Sequence, residues 1–447
     1  MKITEFLNTT YRDAAIYMNY RNTSSLVDGL KNGGRKAVYT ALGKNLTKEV
    51  KVSNFAGAII DNSNYLHGNV SMEGTLVNLS QDFTGSNNLP ILKGIGAFGT
   101  RFVPEAAASR YIFIKNQDYL TKLFKKEDEV NLISQEFEGD KIEPMFYVPT
   151  VPLILINGDV GIGVGFSSKI LPRSLDNIIK AIEDKLSEKE ISEDLFIPYW
   201  NGFNGSIKYL GNCKWEIRGK ATINGNKVLI EEIPITWNLQ NYTQHLKSLR
   251  DAPSDEKKKK KWIKKVEKFI DYSENDIFKF EVKLSPEEAA KSQEVILKDL
   301  GLIDTITENL VCIDEKNSTA EFKTAKEIFD KYFDIKIKFL NDRKKSELVR
   351  LKKEYEKAEE LYNFITEVIN GTINIKAKKA DIEKEMSSKG YKNIDKLISI
   401  PLYSISEDKA LEAKSKMENK KIELEAMKKE TAKSLWLKDL KELKEAL

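Results

Sequence analysis

The residues of this chain best suited to chemistry sit together in Glu105 to Ile114, EAAASRYIFI, where Arg110 directly precedes Tyr111. A phenol with an ordinary pKa near ~10 is a poor nucleophile at neutral pH. For it to attack a phosphate, a cation must lie close to the phosphate and some group must take the proton. Arg110 could be the cation. The small residues before it allow close packing. Only two histidines (His67 and His245) and two isolated cysteines (Cys213 and Cys312) are present, so no zinc-ligand spacing can be built. The sequence contains no G-x-x-x-x-G-K-[ST] phosphate loop and no Asp-x-Asp pair, so neither motif assigns a nucleotide or Mg²⁺ to this chain. Tyr111 is one of 17 tyrosines, and alone it would equally suit a half-buried ring beside a surface arginine.

The elements that must position these residues follow from periodicity. Residues 10 to 20, TYRDAAIYMNY, carry an apolar stripe at helical spacing that ends before Asn22-Thr23-Ser24-Ser25. Val27 to Leu42, VDGLKNGGRKAVYTAL, places two glycine turns ahead of a helix opening with Arg35 and Lys36. Backbone amides and cations at a helix start can hold a phosphate. Val52 to Asp61 and Val70 to Phe83 read as two helices joined by NSNYLHGN, with Asn69 at the entry to the second. That is a helix-turn-helix pattern, although many helical hairpins never touch DNA. GIGAFG, residues 94 to 99, fits the dinucleotide fingerprint, but Arg101-Phe102-Val103-Pro104 breaks the helix that such a fingerprint must open.

Length and composition set the outer limits. A chain of 447 residues implies two to four domains. The net charge is only +4, so a nucleic-acid partner cannot be argued from it, and distribution matters more. Residues 1 to 115 hold 13 Lys+Arg against 8 Asp+Glu, a local excess that fits either a DNA-facing or an ordinary solvated surface. No apolar run approaches a membrane span and no signal-peptide core opens the chain, so it reads as a cytosolic, reduced protein.

Beyond the tyrosine, Leu153 to Ile156 reads as an apolar strand running into a glycine-rich loop, Gly158 to Gly165. From about Gly205 the pattern alternates as strands with Gly211-Asn212 and Asn224-Gly225-Asn226 as turns. Lys257 to Lys261 then reads as a solvated lysine-rich face or a contact to DNA arms. From Phe339, Leu348, Leu351, Tyr355, Ala358, Tyr362, Ile365 and Ile369 repeat at steps of three and four, a coiled-coil seam. A returning arm starts near Asp408, and a helical knob lies between the two arms.

AAASRY, D-G-L-K with Arg35, the Tyr65-Leu66-His67-Gly68 turn, and Pro152, Asn157, Gly158, Gly161, Ile162 and Gly165 together resemble the breakage-reunion subunits of type IIA DNA topoisomerases. These include the gyrase and topoisomerase IV A subunits and, most like this chain, the medium subunits of T-even phage enzymes. The resemblance runs from about Asn8 to the C-terminus. Asn32, Gly34 and Leu66 depart from its motifs. The resemblance implies an α+β multidomain chain: an N-terminal arm (1–34), a winged-helix breakage-reunion domain (35–165), a mixed α/β tower (166–333), and a coiled coil with a helical C-gate (334–447). It makes Tyr111 the nucleophile, with Arg110, Arg21 and His67 around the cleaved phosphate. Lys31, Arg35, Lys36 and Asn69 become DNA contacts, and Ile162 an apolar wedge between base pairs. It also implies double-stranded DNA as substrate, a homodimer joined at the C-gate, and a large partner subunit whose TOPRIM domain holds Mg²⁺ and whose ATPase binds ATP. With no wrapping propeller expected after the returning arm, relaxation and decatenation are the expected activities. Val70 and Gly74 stand where bacterial enzymes carry a serine and an acidic residue that mediate quinolone binding, so weak quinolone sensitivity is expected. Two other classes stay open: a non-catalytic architectural DNA-binding protein on the same scaffold, and a coiled-coil scaffold with no DNA role.

Overall fold

The computed structural model describes residues 3–375 and 377–447. Met1, Lys2 and Lys376, the last of these within the expected knob, lie outside the described residues. Helices and antiparallel strands are mixed along the chain, which is α+β. Contacts divide it into two compact units, one of residues 1–126, 132–335 and 439–447, the other of 127–131 and 336–438.

The first unit opens with α1 (Ile3–Phe6), a π-helical stretch over Leu7–Tyr11, and α2 (Arg12–Asn22), which buries none of its residues. The next helix, α3 (Asn32–Lys44), starts earlier than the glycines suggested, so Gly33 and Gly34 lie in its first turn. A Cβ on Gly34 would meet the Leu30 and Leu79 side chains only at ordinary contact distance, 3.6 and 3.8 Å. Helices α4 (Val52–Ser63) and α5 (Asn69–Ser80) form the expected hairpin. Val52, Phe55, Ala56 and Ile59 of α4 and Met72, Leu76 and Ser80 of α5 recur at helical spacing and are buried, and both helices pack on α3. Beside them β1 (Val50–Lys51), β2 (Leu92–Ile95) and β3 (Phe113–Asn116) form an antiparallel sheet in the order β1-β3-β2, with Phe113 opposite both Lys51 and Ile95.

Leu153 to Ile156 is a short helix, α6 (Leu153–Asn157), where the sequence suggested a strand. All four apolar residues are buried. A short apolar run buried on every side carries no period that separates helix from strand. The Pro152 carbonyl accepts from Leu155 and Ile156 at 3.0 and 3.3 Å and closes the helical turn. The glycine-rich loop that follows is a hairpin of β4 (Asp159–Ile162) and β5 (Ser167–Ile170), pairing Asp159 with Ile170 and Ile162 with Ser167. Helix α7 (Leu175–Leu186) starts at Ser174, whose hydroxyl accepts from the Asn177 amide.

Strands β6 (Ser206–Gly211), β7 (Lys214–Arg218), β8 (Lys220–Asn224), β9 (Lys227–Glu232), β10 (Val266–Asp271), β11 (Phe280–Leu284) and β12 (Ile303–Thr307) build two antiparallel sheets, ordered β8-β9-β11-β10 and β12-β7-β6. Val228 and Ile230 alternate inward on β9, and Phe280 and Val282 on β11, to meet Tyr242 and Leu246 of α8 (Leu239–Arg250) in one core.

The second unit is built on the part of α9 (Ala325–Ile369) from residue 336 onward; the 45-residue helix itself begins well before Phe339. Its antiparallel neighbour is α10 (Glu407–Lys429): Glu354 pairs with Lys420 at 3.1 Å, and Lys344 donates to the carbonyls of Lys428 and Glu430. Leu351, Ala358 and Ile365 of the expected seam are buried, whereas Ile369 is exposed. Between the arms, Phe364, Ile365, Ile373, Ile382, Met386, Leu397 and Ala413 form a separate small core.

Candidate active site

Tyr111 stands on a turn whose backbone is fixed from three sides. Its own amide donates to Ala108 at 2.9 Å, and β3 begins two residues later. The first amides of α4, which have no partner within their helix, reach across to the turn: Val52 donates to Ile112 at 3.1 Å and Ser53 to Ser109 at 3.4 Å. From the other side the Ala107 amide donates to Ala97 at 2.9 Å, and the Gln81 side chain donates to Phe98 and Pro104 carbonyls at 2.8 and 3.1 Å. The GIGAFG segment therefore runs from the end of β2 into a loop folded against the tyrosine turn, and no helix follows it. Gly99 has φ +96°, and a Cβ there would lie 2.4 Å from the Pro104 oxygen, so this fold of the loop needs glycine. Arg101 anchors the same loop through a 2.6 Å ion pair to the buried Glu232 and a 2.8 Å bond to the Ile233 carbonyl.

On this support the tyrosine ring projects outward. Tyr111 is 66% exposed while its neighbour Ile112 is buried. The Arg110 guanidinium carbon lies 4.8 Å from the Tyr111 ring centroid, so the nucleophile candidate and its nearest cation share one exposed patch. Among the described residues no side chain hydrogen-bonds to the Tyr111 hydroxyl.

A second group of polar residues forms a cleft of about 320 Å³ between α2, α3 and α5, lined by Arg21, Lys31, Tyr65, Ser71 and Thr75 among others. Arg21 donates to the Ser71 hydroxyl at 3.4 Å, and the Tyr65 hydroxyl lies 3.1 Å from the same oxygen. Beside them His67 Nε2 is 2.6 Å from the Tyr17 hydroxyl, and the Tyr65 ring meets the imidazole edge-on at 5.2 Å. Burial, and then the positive charge of Arg21, hold the His67 pKa below its ordinary value of 6.5, so the imidazole is neutral at pH 7.

The β4–β5 hairpin is locked to the helix that carries Arg21. Asn19 of α2 accepts from the Val164 amide at 2.6 Å and donates to its carbonyl at 3.3 Å, and Asn22 donates to the Ile162 carbonyl at 3.2 Å. A Cβ on Gly161 would sit 2.4 Å from the Asn22 oxygen, which explains glycine at this contact. Lys31 closes the frame, donating to the Val160 carbonyl at 2.6 Å and pairing with Asp159 at 3.3 Å. Ile162 stands out from the hairpin, 77% exposed.

Comparisons with known proteins decide the family. A model of the DNA gyrase and topoisomerase IV A-subunit family matches residues 21–441. The chain belongs to that family. It is 29% identical over 461 residues to the mitochondrial DNA topoisomerase 2 of Dictyostelium discoideum, covering 99% of this chain and 35% of the relative. It is 30% identical to DNA topoisomerase 2 of Arabidopsis thaliana, covering 96% of this chain and 32% of the relative. It thus spans about a third of the length of these relatives. Among solved structures, the DNA-binding, cleavage and re-ligation domain of Plasmodium falciparum topoisomerase II is similar with a TM-score of 0.87 at 29% identity, over 99% of this chain and 64% of that one.

Within this family fold, two residues expected to face DNA are turned inward. Arg35 is 2% exposed, pairs with Asp28 at 2.7 and 3.2 Å, and donates to the Tyr20 hydroxyl at 3.0 Å. Lys36 is buried against Glu143 at 2.8 Å and the Ser63 carbonyl at 2.6 Å. Gly34 to Val38 are all buried, so α3 is enclosed on every side at this turn and the two charges are met by carboxylates of the chain itself. The Glu143 partner lies 107 residues away and leaves no local trace.

The other candidates fall into two groups. Arg110 and Tyr111 share the turn; Arg21 and Lys31 line the cleft, with His67 beside it against Tyr17 and Tyr65, and the lining includes neither member of the first pair. Asn69 is exposed at the first turn of α5. Sequence reasoning missed Tyr17, Asn19, Asn22 and Ser71; the only available signal was that the first three share α2 with Arg21. Among the described residues no group of three or more His, Cys, Asp or Glu side chains could hold a metal ion, and no helix is long and apolar enough to cross a membrane.

Proposed function

We propose that this chain is the DNA-cleaving and rejoining part of an ATP-dependent type II DNA topoisomerase. The observation that carries the reading is Tyr111 itself: an exposed phenol on a rigidly held turn, with a guanidinium 4.8 Å from its ring, in a chain of this family. As its hydroxyl proton passes to solvent water, its oxygen attacks a backbone phosphorus, the bond to the 3′ oxygen breaks, and a 5′-phosphotyrosyl link forms. The leaving 3′ oxygen takes up a proton, and the reverse attack reseals the strand. Arg110 stabilises the charge that develops on the phosphate, with Arg21 and His67 as further donors to it. The bond energy stays in the covalent link, so resealing needs no separate energy source.

Helices α3 to α5 with the β1-β3-β2 sheet serve as the winged helix that presents Tyr111, and Asn69 and Lys31 as backbone contacts. Ile162 enters the base stack and kinks the duplex; unstacking costs a few kcal/mol per step and is offset by contact with the bent DNA. The strands and helices of residues 166–333 form the tower, and the α9–α10 pair a coiled coil ending in a dimer gate. Mg²⁺ and ATP belong to a partner polypeptide with TOPRIM and ATPase domains. The placement among phage medium subunits is supported by sequence resemblance.

The experiment is plasmid relaxation and decatenation by the chain mixed with such a partner, Mg²⁺ and ATP. Activity that needs both polypeptides supports the reading. A mixture that binds DNA with steep salt dependence yet never changes its topology favours the architectural alternative.

A further inference from the structure

We propose that Tyr17 is a positioning residue that fixes the tautomer of His67, so that His67 meets the DNA phosphate as a hydrogen-bond donor through Nδ1–H and does not act as the base for Tyr111. This rests on the reading of His67 as a phosphate-side residue given above.

The Tyr17 hydroxyl and His67 Nε2 are 2.6 Å apart, a short hydrogen bond between residues 50 positions apart in the chain. Either atom could hold the proton in principle, but the two arrangements are unequal. A phenol O–H is a good donor, and its oxygen is a weak acceptor because its lone pair is drawn into the ring. A distance this short is typical of an O–H donor rather than an N–H donor. The imidazole can accept only if it is neutral. Burial and the neighbouring Arg21 charge both favour that form.

A neutral imidazole that accepts at Nε2 carries its proton on Nδ1. Among the described residues Nδ1 has no hydrogen-bond partner, so the ring offers one free N–H on the side away from Tyr17. The Tyr65 ring, edge-on at 5.2 Å and 71°, restricts rotation of the imidazole plane and keeps that N–H aimed. Tyr65 is in turn held by Ser71, which also accepts from Arg21. Three side chains, from α2, the α4–α5 turn and α5, thus set one neutral donor beside one cation. A group whose basic nitrogen is already occupied by a phenol proton cannot take a second proton without breaking that bond. On sequence grounds hydrogen bonding and proton transfer are both open to His67; the Tyr17 contact decides between them.

The test is ¹⁵N-edited NMR of the full chain labelled on histidine, which has only His67 and His245 to resolve; a His67→Gln variant assigns the two. The wild type should show protonated Nδ1 and unprotonated Nε2 at His67 near pH 7. Tyr17 is 45% exposed, so Tyr17→Phe should fold normally. This variant should move His67 toward the Nε2–H form that free histidine prefers, while the His245 signals stay in place. With the partner polypeptide, the same variant should cleave DNA about tenfold more slowly with unchanged DNA affinity, the size of one hydrogen bond lost in the transition state. An Nε2–H tautomer in the wild type, or a spectrum unchanged by Tyr17→Phe, overturns the proposal. A changed tautomer with undiminished cleavage overturns its functional half. Because the NMR is done without DNA or partner, its result stands apart from whether Tyr111 forms a covalent adduct, which tests the function itself.

Discussion

Arg35 and Asp28 form a buried two-point ion pair, 2.7 and 3.2 Å, inside the segment whose sequence looks most like a phosphate-binding turn. The same Asp28 carboxylate accepts from the Leu30 and Tyr147 amides, each at 3.0 Å. The pair therefore fixes the path of the chain between α2 and α3, and through it the placement of Arg21 and Lys31.

Removing one side of this pair leaves a buried charge without its partner. Arg35→Ala should lower stability by about 3–5 kcal/mol, read from urea unfolding. Lys36→Ala should also destabilise, by loss of its bond to Glu143. Neither substitution, in protein that remains folded, should change the slope of log affinity for DNA against log salt. Lys31→Ala should instead reduce that slope by about 1, with some loss of stability of its own because it strips the buried Asp159 of its cation. A normal slope for Lys31→Ala with a reduced one for Lys36→Ala would reverse the assignment of inward and outward cations.

His67 and His245 both have pKa values held below 6.5, each mainly by burial. The unfolded chain therefore binds more protons than the folded one between the folded pKa and 6.5, so stability rises with pH through that window and is flat above it. Histidine NMR should place both midpoints below 6.5. Adding duplex DNA should raise the His67 midpoint, because a phosphate favours the charged form, and leave His245 unmoved. Equal shifts at the two histidines would remove His67 from the DNA surface.

Ile162 contributes little to the core at its exposed hairpin position, so Ile162→Ala should not cost stability. It should instead reduce DNA bending, measured by end-to-end fluorescence transfer, and slow cleavage about tenfold, while affinity for an already nicked, flexible duplex changes little. Full bending by the alanine variant would exclude the wedge role.

Val70 is 81% exposed at the start of α5, and nothing lies within 4 Å of a Cβ built on Gly74. Neither position supplies the hydroxyl or the carboxylate expected for quinolone binding. Quinolone-stabilised cleavage should need far higher drug concentrations than in bacterial enzymes, and Val70→Ser with Gly74→Glu should lower the requirement. Bacterial-like potency in the unmodified chain would contradict this.

The elements nearest Tyr111 are largely legible in the sequence because they obey short-range rules. The α4–α5 hairpin shows itself through Phe55, Ile59, Met72 and Leu76 at helical spacing, and the broken fingerprint at Arg101 to Pro104 excludes a nucleotide helix. Leu153 to Ile156 could not be read, since a short run buried on all sides has no period. The inward turn of Arg35 and Lys36 was hidden for a different reason. A cation beside a glycine turn reads as a phosphate ligand until its carboxylate is known, and Glu143 comes from a distant part of the chain. The Tyr17–His67 contact joins two residues 50 positions apart with no motif between them.

The central claim is that Tyr111 is the nucleophile, and covalent trapping tests it most directly. End-labelled plasmid would be mixed with the chain, a TOPRIM and ATPase partner and Mg²⁺, then denatured and digested, comparing wild type with Tyr111→Phe. The account predicts a protein–DNA adduct from the wild type, attached at the 5′ phosphate, and none from the phenylalanine variant. An equal adduct from Tyr111→Phe, or no adduct from a wild-type mixture that relaxes plasmid, would contradict it.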